Sequence, residues 1–257
     1  MSLWLFFFKQ SFTTEAQRTQ RLHREDHVGR LFGQSRVLAK PQPKGSTLNG
    51  SKMSTNEILS RVQEYYDEKL RTHGPTARGV DWKSPESQEL RFAQLAKLID
   101  HDRPFTINDF GCGYGALIDF LESHGFQFRY VGFDISSEMI VQAEELHAGL
   151  RFVTARGDLP EADYTIASGI FNVKLCTGEA EWKDYMLDVL DTMNSLSKRG
   201  FAFNALTKYS DAEFKRSDLY YADPLFFFDH CKTKYSKYVT LLHDYPLYEF
   251  TILVRKE

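Results

Sequence analysis

The chain has 257 residues, of which 42% are apolar and 26% charged, with a formal net charge of -3. Those values suit one soluble globular domain or two small ones, and exclude collagen-like, wholly disordered and multi-span membrane chains. The three cysteines, Cys112, Cys176 and Cys231, show no CxxC spacing, which argues against a disulfide scaffold or a cysteine zinc site.

The near-neutral total hides a split. Residues 1–52 carry nine basic and three acidic side chains, leaving 23 basic and 32 acidic ones, net -9, for the remainder. The apolar run from Leu3 to Phe8 is six residues long, too short for a membrane helix and lacking the basic lead of a signal peptide. The polar stretch that follows offers few apolar residues to offset the cost of ordering it. It reads as a disordered extension. An Arg-biased transit peptide and a natural start at Met53 are the other readings, and loss of residues 1–52 is expected to leave the domain at 53–257 functional.

Regular signals begin at Ser54. Ser54 and Glu57 form a capping box, followed by Ile58, Leu59, Val62, Tyr65 and Tyr66 at helical spacing, with a stop near Gly74-Pro75. After a loop containing Trp82, Ser84-Pro85-Glu86 opens a second helix that runs to about Asp100. The period then changes. Residues 105–110, 129–134, 150–154, 164–170 and 201–206 read as strands, with helices at 116–123, 136–147 and 179–197 between them. This alternation predicts a mostly parallel sheet covered on both faces. The runs at 238–243 and 248–254 are joined by too few residues for a parallel crossover, so they form a hairpin with one antiparallel strand. Leu225-Phe-Phe-Phe228 reads as a helix face packed on the sheet.

The first strand runs into Asp109-Phe-Gly111-Cys-Gly113-Tyr-Gly115. Glycines there let the backbone turn sharply beside a ligand, and Asp134, 23 residues beyond Gly111, stands where a carboxylate accepts ribose hydroxyls. Gly111, Gly113 and Ala116 also satisfy a dinucleotide fingerprint, so an NAD(P)-dependent oxidoreductase and a non-catalytic cofactor-binding protein are rival readings. Asp109 tips the balance, because a carboxylate beside the ligand repels a pyrophosphate and suits a cation. The terminal hairpin, foreign to a standard NAD domain, points the same way.

On the segment 109–115, the segment 130–136 and the final hairpin, residues 53–257 resemble the class I S-adenosylmethionine-dependent methyltransferases. The resemblance implies a Rossmann-like three-layer α/β sandwich with a seven-stranded, mostly parallel sheet whose last strand is inserted antiparallel. Residues 152–172 and 218–224 resemble bacterial members of unassigned substrate. The resemblance implies S-adenosyl-L-methionine as cofactor. Gly111, Cys112 and Gly113 would line its methionine and ribose, and Asp134-Ile135 would bind the ribose. Asp109 would hold the methionine end, Asp158 the adenine amino group, and Ser168-Gly169-Ile170 the region of the sulfonium. The link 155–163 holds no helix, where the family commonly has one. Tyr66 and Trp82 stand where family members place a cofactor lid.

Ligands bind at the carboxyl ends of the strands in open α/β sheets. That makes Asn204, Tyr209, Tyr220, Tyr221, Asp223, His243, Asp244 and Tyr245 candidates for the substrate side. His243, then Asp244 or Asp223, are the candidate general bases. The expected acceptor is a small molecule, at an oxygen, nitrogen or carbon atom. The acidic body argues against nucleic acid, and no metal, no membrane association and a cytoplasmic location are expected.

Overall fold

The structure is a computed structural model that describes residues 54–256. The expectations for residues 1–52 lie outside the described residues. The helices are α1 (Thr55–His73), α2 (Pro85–Leu95), α3 (Ala116–Ser123), α4 (Ser137–Leu146), α5 (Glu179–Leu196) and α6 (Pro224–Lys234). The strands are β1 (Phe105–Phe110), β2 (Phe128–Phe133), β3 (Arg151–Val153), β4 (Ala162–Ala167), β5 (Ser197–Leu206), β6 (Tyr238–Leu242) and β7 (Glu249–Arg255).

Local chemistry explains where the helices start. At α1 the Ser54 amide donates to Glu57 and the Glu57 amide to Ser54 Oγ, closing the capping box. At α2 Ser84 and Ser87 exchange the same pair of bonds, with Pro85 in the first turn. Ser136 Oγ caps α4 by accepting from the Met139 amide.

The seven strands form one sheet in the order β3-β2-β1-β4-β5-β7-β6. Pairings from β3 through to β5 are parallel, while β7 lies antiparallel between β5 and β6. The final hairpin turns over residues 243–248, and β7 lies inside the sheet rather than at its edge. Side chains alternate across it, as strand geometry requires. Phe201, Phe203, Phe250, Ile252 and Val254 face the apolar layer of α5 and α6. Ala202, Leu253 and Ile107 face the layer of α2 and α3.

The apolar run Leu225–Phe228 is more divided than its sequence suggests. Phe227 is fully buried, but Leu225 is 59% and Phe226 39% exposed, because only one side of α6 meets the sheet. Among the described residues no helix is long and apolar enough to cross a membrane.

Phe203 carries no exposure and packs edge-on against Phe171 and Phe227 at ring distances of 5.6 and 6.2 Å. Phe203→Ala is expected to lower unfolding free energy by about 3–5 kcal/mol, read from the urea midpoint.

Candidate functional site

The chain winds outward in opposite directions from β1 and β4, so the carboxyl ends of these neighbours open a crevice. The glycine turn after β1 forms one wall. Gly111, Gly113 and Gly115 all have φ between 54° and 89°, a region in which a side chain is strained. The turn is tied down by its own amides. Gly111 N–H and Cys112 N–H both donate to the Phe133 carbonyl at 2.7 and 2.9 Å. Gly113 N–H donates to Asp134 Oδ2 at 2.9 Å. Three successive donors are therefore spent on the end of β2.

Asp134 also accepts the Ser136 amide at 2.9 Å through Oδ1. Ser136 Oγ in turn donates to buried Asp67 of α1, which latches that helix over the crevice. On its outer side α1 is held by Tyr65 Oη on Asp81 at 2.7 Å and by the Lys69–Asp81 ion pair at 2.8 Å. Val62 and Tyr66 thereby become part of the cleft wall.

The cleft contains about 660 Å³ of empty space, the open solvent at its mouth included. Of the residues expected from sequence, it brings together Gly111, Gly113, Asp134 and Ile135 from the strand ends. Ser168, Gly169 and Ile170 join them from the turn after β4, and Tyr66 and Trp82 from the covering segments. Residues 168–170 were expected to end a strand. They form a turn instead, because β4 stops at Ala167 and Gly169 takes φ 80°. Contacts are close: a Cβ on Gly111 would stand 2.2 Å from Ile170 Cγ2, and one on Gly169 2.3 Å from the Trp82 ring.

Three expected cofactor residues do not line the cleft. Asp109 points to the Ile107 side of β1, where its buried carboxylate accepts from Tyr130 Oη at 2.8 Å. Strand alternation puts Phe110 in the wall in its place. Cys112 is buried beneath the turn with Sγ near the Gly113 carbonyl. Asp158 ends an exposed single turn, Arg156–Asp158, and its carbonyl accepts from Arg151. The expected bases lie elsewhere too. Asp223 caps α6 and pairs with Lys208 at 2.7 Å. His243 and Asp244 are exposed in the β6–β7 connection, with the His243 ring 6.0 Å from Tyr209.

Sequence reasoning missed Val62, Val80, Phe110, Phe133, Met139 and Tyr185 as wall residues. Tyr185 lies on the apolar face of α5, where periodicity alone makes it core. Burial pushes the Tyr66 and Tyr185 hydroxyls up, so both stay protonated and act as walls or donors. Ser168 Oγ is buried with no hydrogen-bond partner among the described residues.

The strand order, the glycine turn and the carboxylate at the end of β2 define a Rossmann-like α/β protein of the nucleoside-binding class. Comparison with known proteins narrows this. Residues 107–200 match the family model of a methyltransferase domain. Rv1506c of Mycobacterium tuberculosis, which bears the name of a methyltransferase, is 53% identical over 163 residues, 62% of this chain and 98% of the relative. The chain belongs to the methyltransferase family. Solved structures share the fold at low identity. Magnesium protoporphyrin IX methyltransferase of Synechocystis, solved with bound SAM, superposes with TM-score 0.52 at 15% identity, covering 81% of this chain and 100% of that one. Human N-acetylserotonin methyltransferase gives 0.55 at 14%, covering 79% and 60%. The 1,6-didemethyltoxoflavin-N1-methyltransferase of Burkholderia thailandensis gives 0.53 at 15%, covering 85% and 99%.

Burial also sets Asp134 in the cleft and Asp109 behind it. It pushes Asp109 up to about 7, with Tyr130 Oη partly opposing it, and Asp134 up to about 6 against the pull of the Ser136 and Gly113 amides. An acid whose folded pKa exceeds its unfolded value of about 4 binds its proton more tightly when folded. Its contribution is complete below about pH 4 and is lost as pH rises through the folded value. The urea midpoint is therefore expected to fall between about pH 4 and 7, with a slope of at most about 1.4 kcal/mol per pH unit from Asp109. Asp109→Asn should flatten that slope.

Proposed function

We propose that the chain is an S-adenosyl-L-methionine-dependent methyltransferase that alkylates an oxygen, nitrogen or carbon atom of a small molecule. The commitment of the Gly111, Cys112 and Gly113 amides to β2 carries the cofactor reading. A dinucleotide site needs turn amides free to meet its pyrophosphate, and here the first three are spent. What remains toward the cleft is a carboxylate, Asp134, suited to ribose hydroxyls.

The residues fit the group. Asp134 would hold the ribose, Gly111 and Gly113 would let the nucleoside lie against the backbone, and Ile135, Met139 and Tyr66 would enclose the base. Ser168 Oγ, buried and unpartnered among the described residues, offers a donor near the turn after β4. When bound, the cofactor supplies an electrophilic methyl group on a sulfonium. The chain's own work is to align the acceptor and exclude water, for which Tyr66, Trp82 and Tyr185 give an aromatic enclosure. Where the acceptor must lose a proton, His243 or Asp244 could serve only from the mouth of the cleft, since both are exposed in the β6–β7 connection and neither lines the wall. Asp223 suits that role less, because Lys208 holds its carboxyl below the usual range. A small acceptor is favoured by the enclosed apolar wall and by the net -9 of residues 53–257, which repels nucleic acid.

Calorimetry tests the cofactor. S-adenosylhomocysteine is expected to bind and NAD not to; the reverse result would sink the reading in favour of an oxidoreductase. Asp134→Ala should weaken binding by about 100-fold or more, the loss of two charge-assisted hydrogen bonds. Affinity should fall as pH drops below about 6, where Asp134 takes up its proton and ceases to be a double acceptor. Labelled methyl transfer across a metabolite library, with mass spectrometry of the product, tests the small acceptor. Turnover on RNA or protein alone would overturn that part.

A further inference from the structure

Five residues far apart in the chain close a circuit behind one end of the cleft. The Arg91 guanidinium stacks on Trp82, 3.8 Å from the ring centre. Its Nε and Nη2 fork onto Glu249 at 2.6 to 3.0 Å, while Nη1 donates to the Ser87 carbonyl at 2.6 Å. Glu249 has no exposure at all. Its Oε2 also accepts from Asn204 Nδ2 at 2.9 Å, and Asn204 Oδ1 accepts the Gly169 N–H at 2.8 Å. Gly169 then returns to the start, packed so closely on Trp82 that a Cβ there would lie 2.3 Å from the ring.

Strand register brings the middle of the circuit together. Asn204 pairs with Thr251 and Leu206 with Glu249, so Asn204 and Glu249 are diagonal neighbours on one face. That face is the one on which α2 packs, and Arg91 lies on the buried side of α2 with Gln88, Phe92 and Leu95. A buried ion pair is a poor source of stability compared with apolar packing of the same volume. The circuit is better explained by what it orients. Its two ends, Trp82 and Gly169, are cleft walls, whereas Arg91, Glu249 and Asn204 do not line the cleft. The fork fixes the guanidinium plane, and the stack on that plane fixes the indole. The carboxylate obliges the Asn204 amide to present Nδ2 to it, which leaves Oδ1 facing Gly169. Taking up the Gly169 N–H turns the Ser168 carbonyl the opposite way across a trans peptide.

We infer that Arg91, Glu249 and Asn204 are positioning residues for methyl transfer, holding Trp82 and the Ser168–Gly169 peptide in the one arrangement that receives the cofactor. This rests on the cofactor reading above. The circuit makes Trp82 report on Asn204, two links away through Glu249 and Arg91.

The full chain provides the test, with the Trp82 signal taken as the difference from Trp82→Phe, since the chain has three tryptophans. Asn204→Leu keeps the volume and removes both hydrogen bonds; Arg91→Lys keeps the charge and removes fork and stack. In ligand-free protein, both variants should red-shift Trp82 emission and open it to acrylamide. Each should weaken S-adenosylhomocysteine by about tenfold, and the double variant should lose no more than either alone, since both cut one circuit. Unchanged Trp82 emission in Asn204→Leu, or losses that multiply in the double variant, would overturn the inference. If Asn204→Leu does not fold, the Arg91→Lys and Trp82→Ala pair gives the same cycle. Should the unaltered protein bind no S-adenosylhomocysteine, the cofactor reading falls, and Trp82 emission in the ligand-free variants decides the circuit by itself.

Discussion

Three backbone amides decide what this cleft can hold. Gly111 and Cys112 share the Phe133 carbonyl, and Gly113 takes a carboxylate oxygen of Asp134. A turn whose first three donors converge on the neighbouring strand withholds those amides from a phosphate, yet keeps the close approach that its glycines permit. It also locks the end of β1 to the end of β2, so Asp134 is held in place before any ligand arrives. The latch from Ser136 to Asp67 extends the same order to α1. Closing helix, ribose acceptor and turn thus belong to one hydrogen-bonded unit.

A second polar unit faces it across the cleft. Arg91, Glu249 and Asn204 reach Trp82 and Gly169 from behind, so both walls are set by buried polar groups rather than by exposed loops. Buried polar groups hold geometry tightly because leaving any of them unpaired is costly in a low dielectric. The same burial raises the carboxyls of Asp109 and Asp134. Among the described residues the cleft wall carries one carboxylate, Asp134, which is therefore only conditionally charged, and no cation to hold an anionic ligand.

Much of this was legible from residue order. Ser54 with Glu57, and Ser84 with Pro85, mark helix starts by satisfying local amides, and the structure shows both caps. Gly111, Gly113 and Asp134 were legible because their roles follow from backbone freedom and strand spacing. Asp109 illustrates the limit. It stands one residue from the cleft wall, and only the pleat decides that Phe110 faces in and Asp109 faces Tyr130. The three candidate bases were chosen by type and strand end, which says nothing of partners. Asp223 proves to be tied to Lys208 and its own helix.

The order of elements, the reversed final strand and the nucleoside-type turn were determined by sequence, because each depends on periodicity or on connections of a few residues. The tertiary structure alone decided the cleft's back wall. Arg91 and Glu249 are separated by 158 residues, and no local pattern ties them. An arginine on the buried side of α2 was the one available signal, since a charge there must find a partner. Which partner it finds is a matter of sheet register: β7 enters between β5 and β6, and that insertion sets Glu249 beside Asn204.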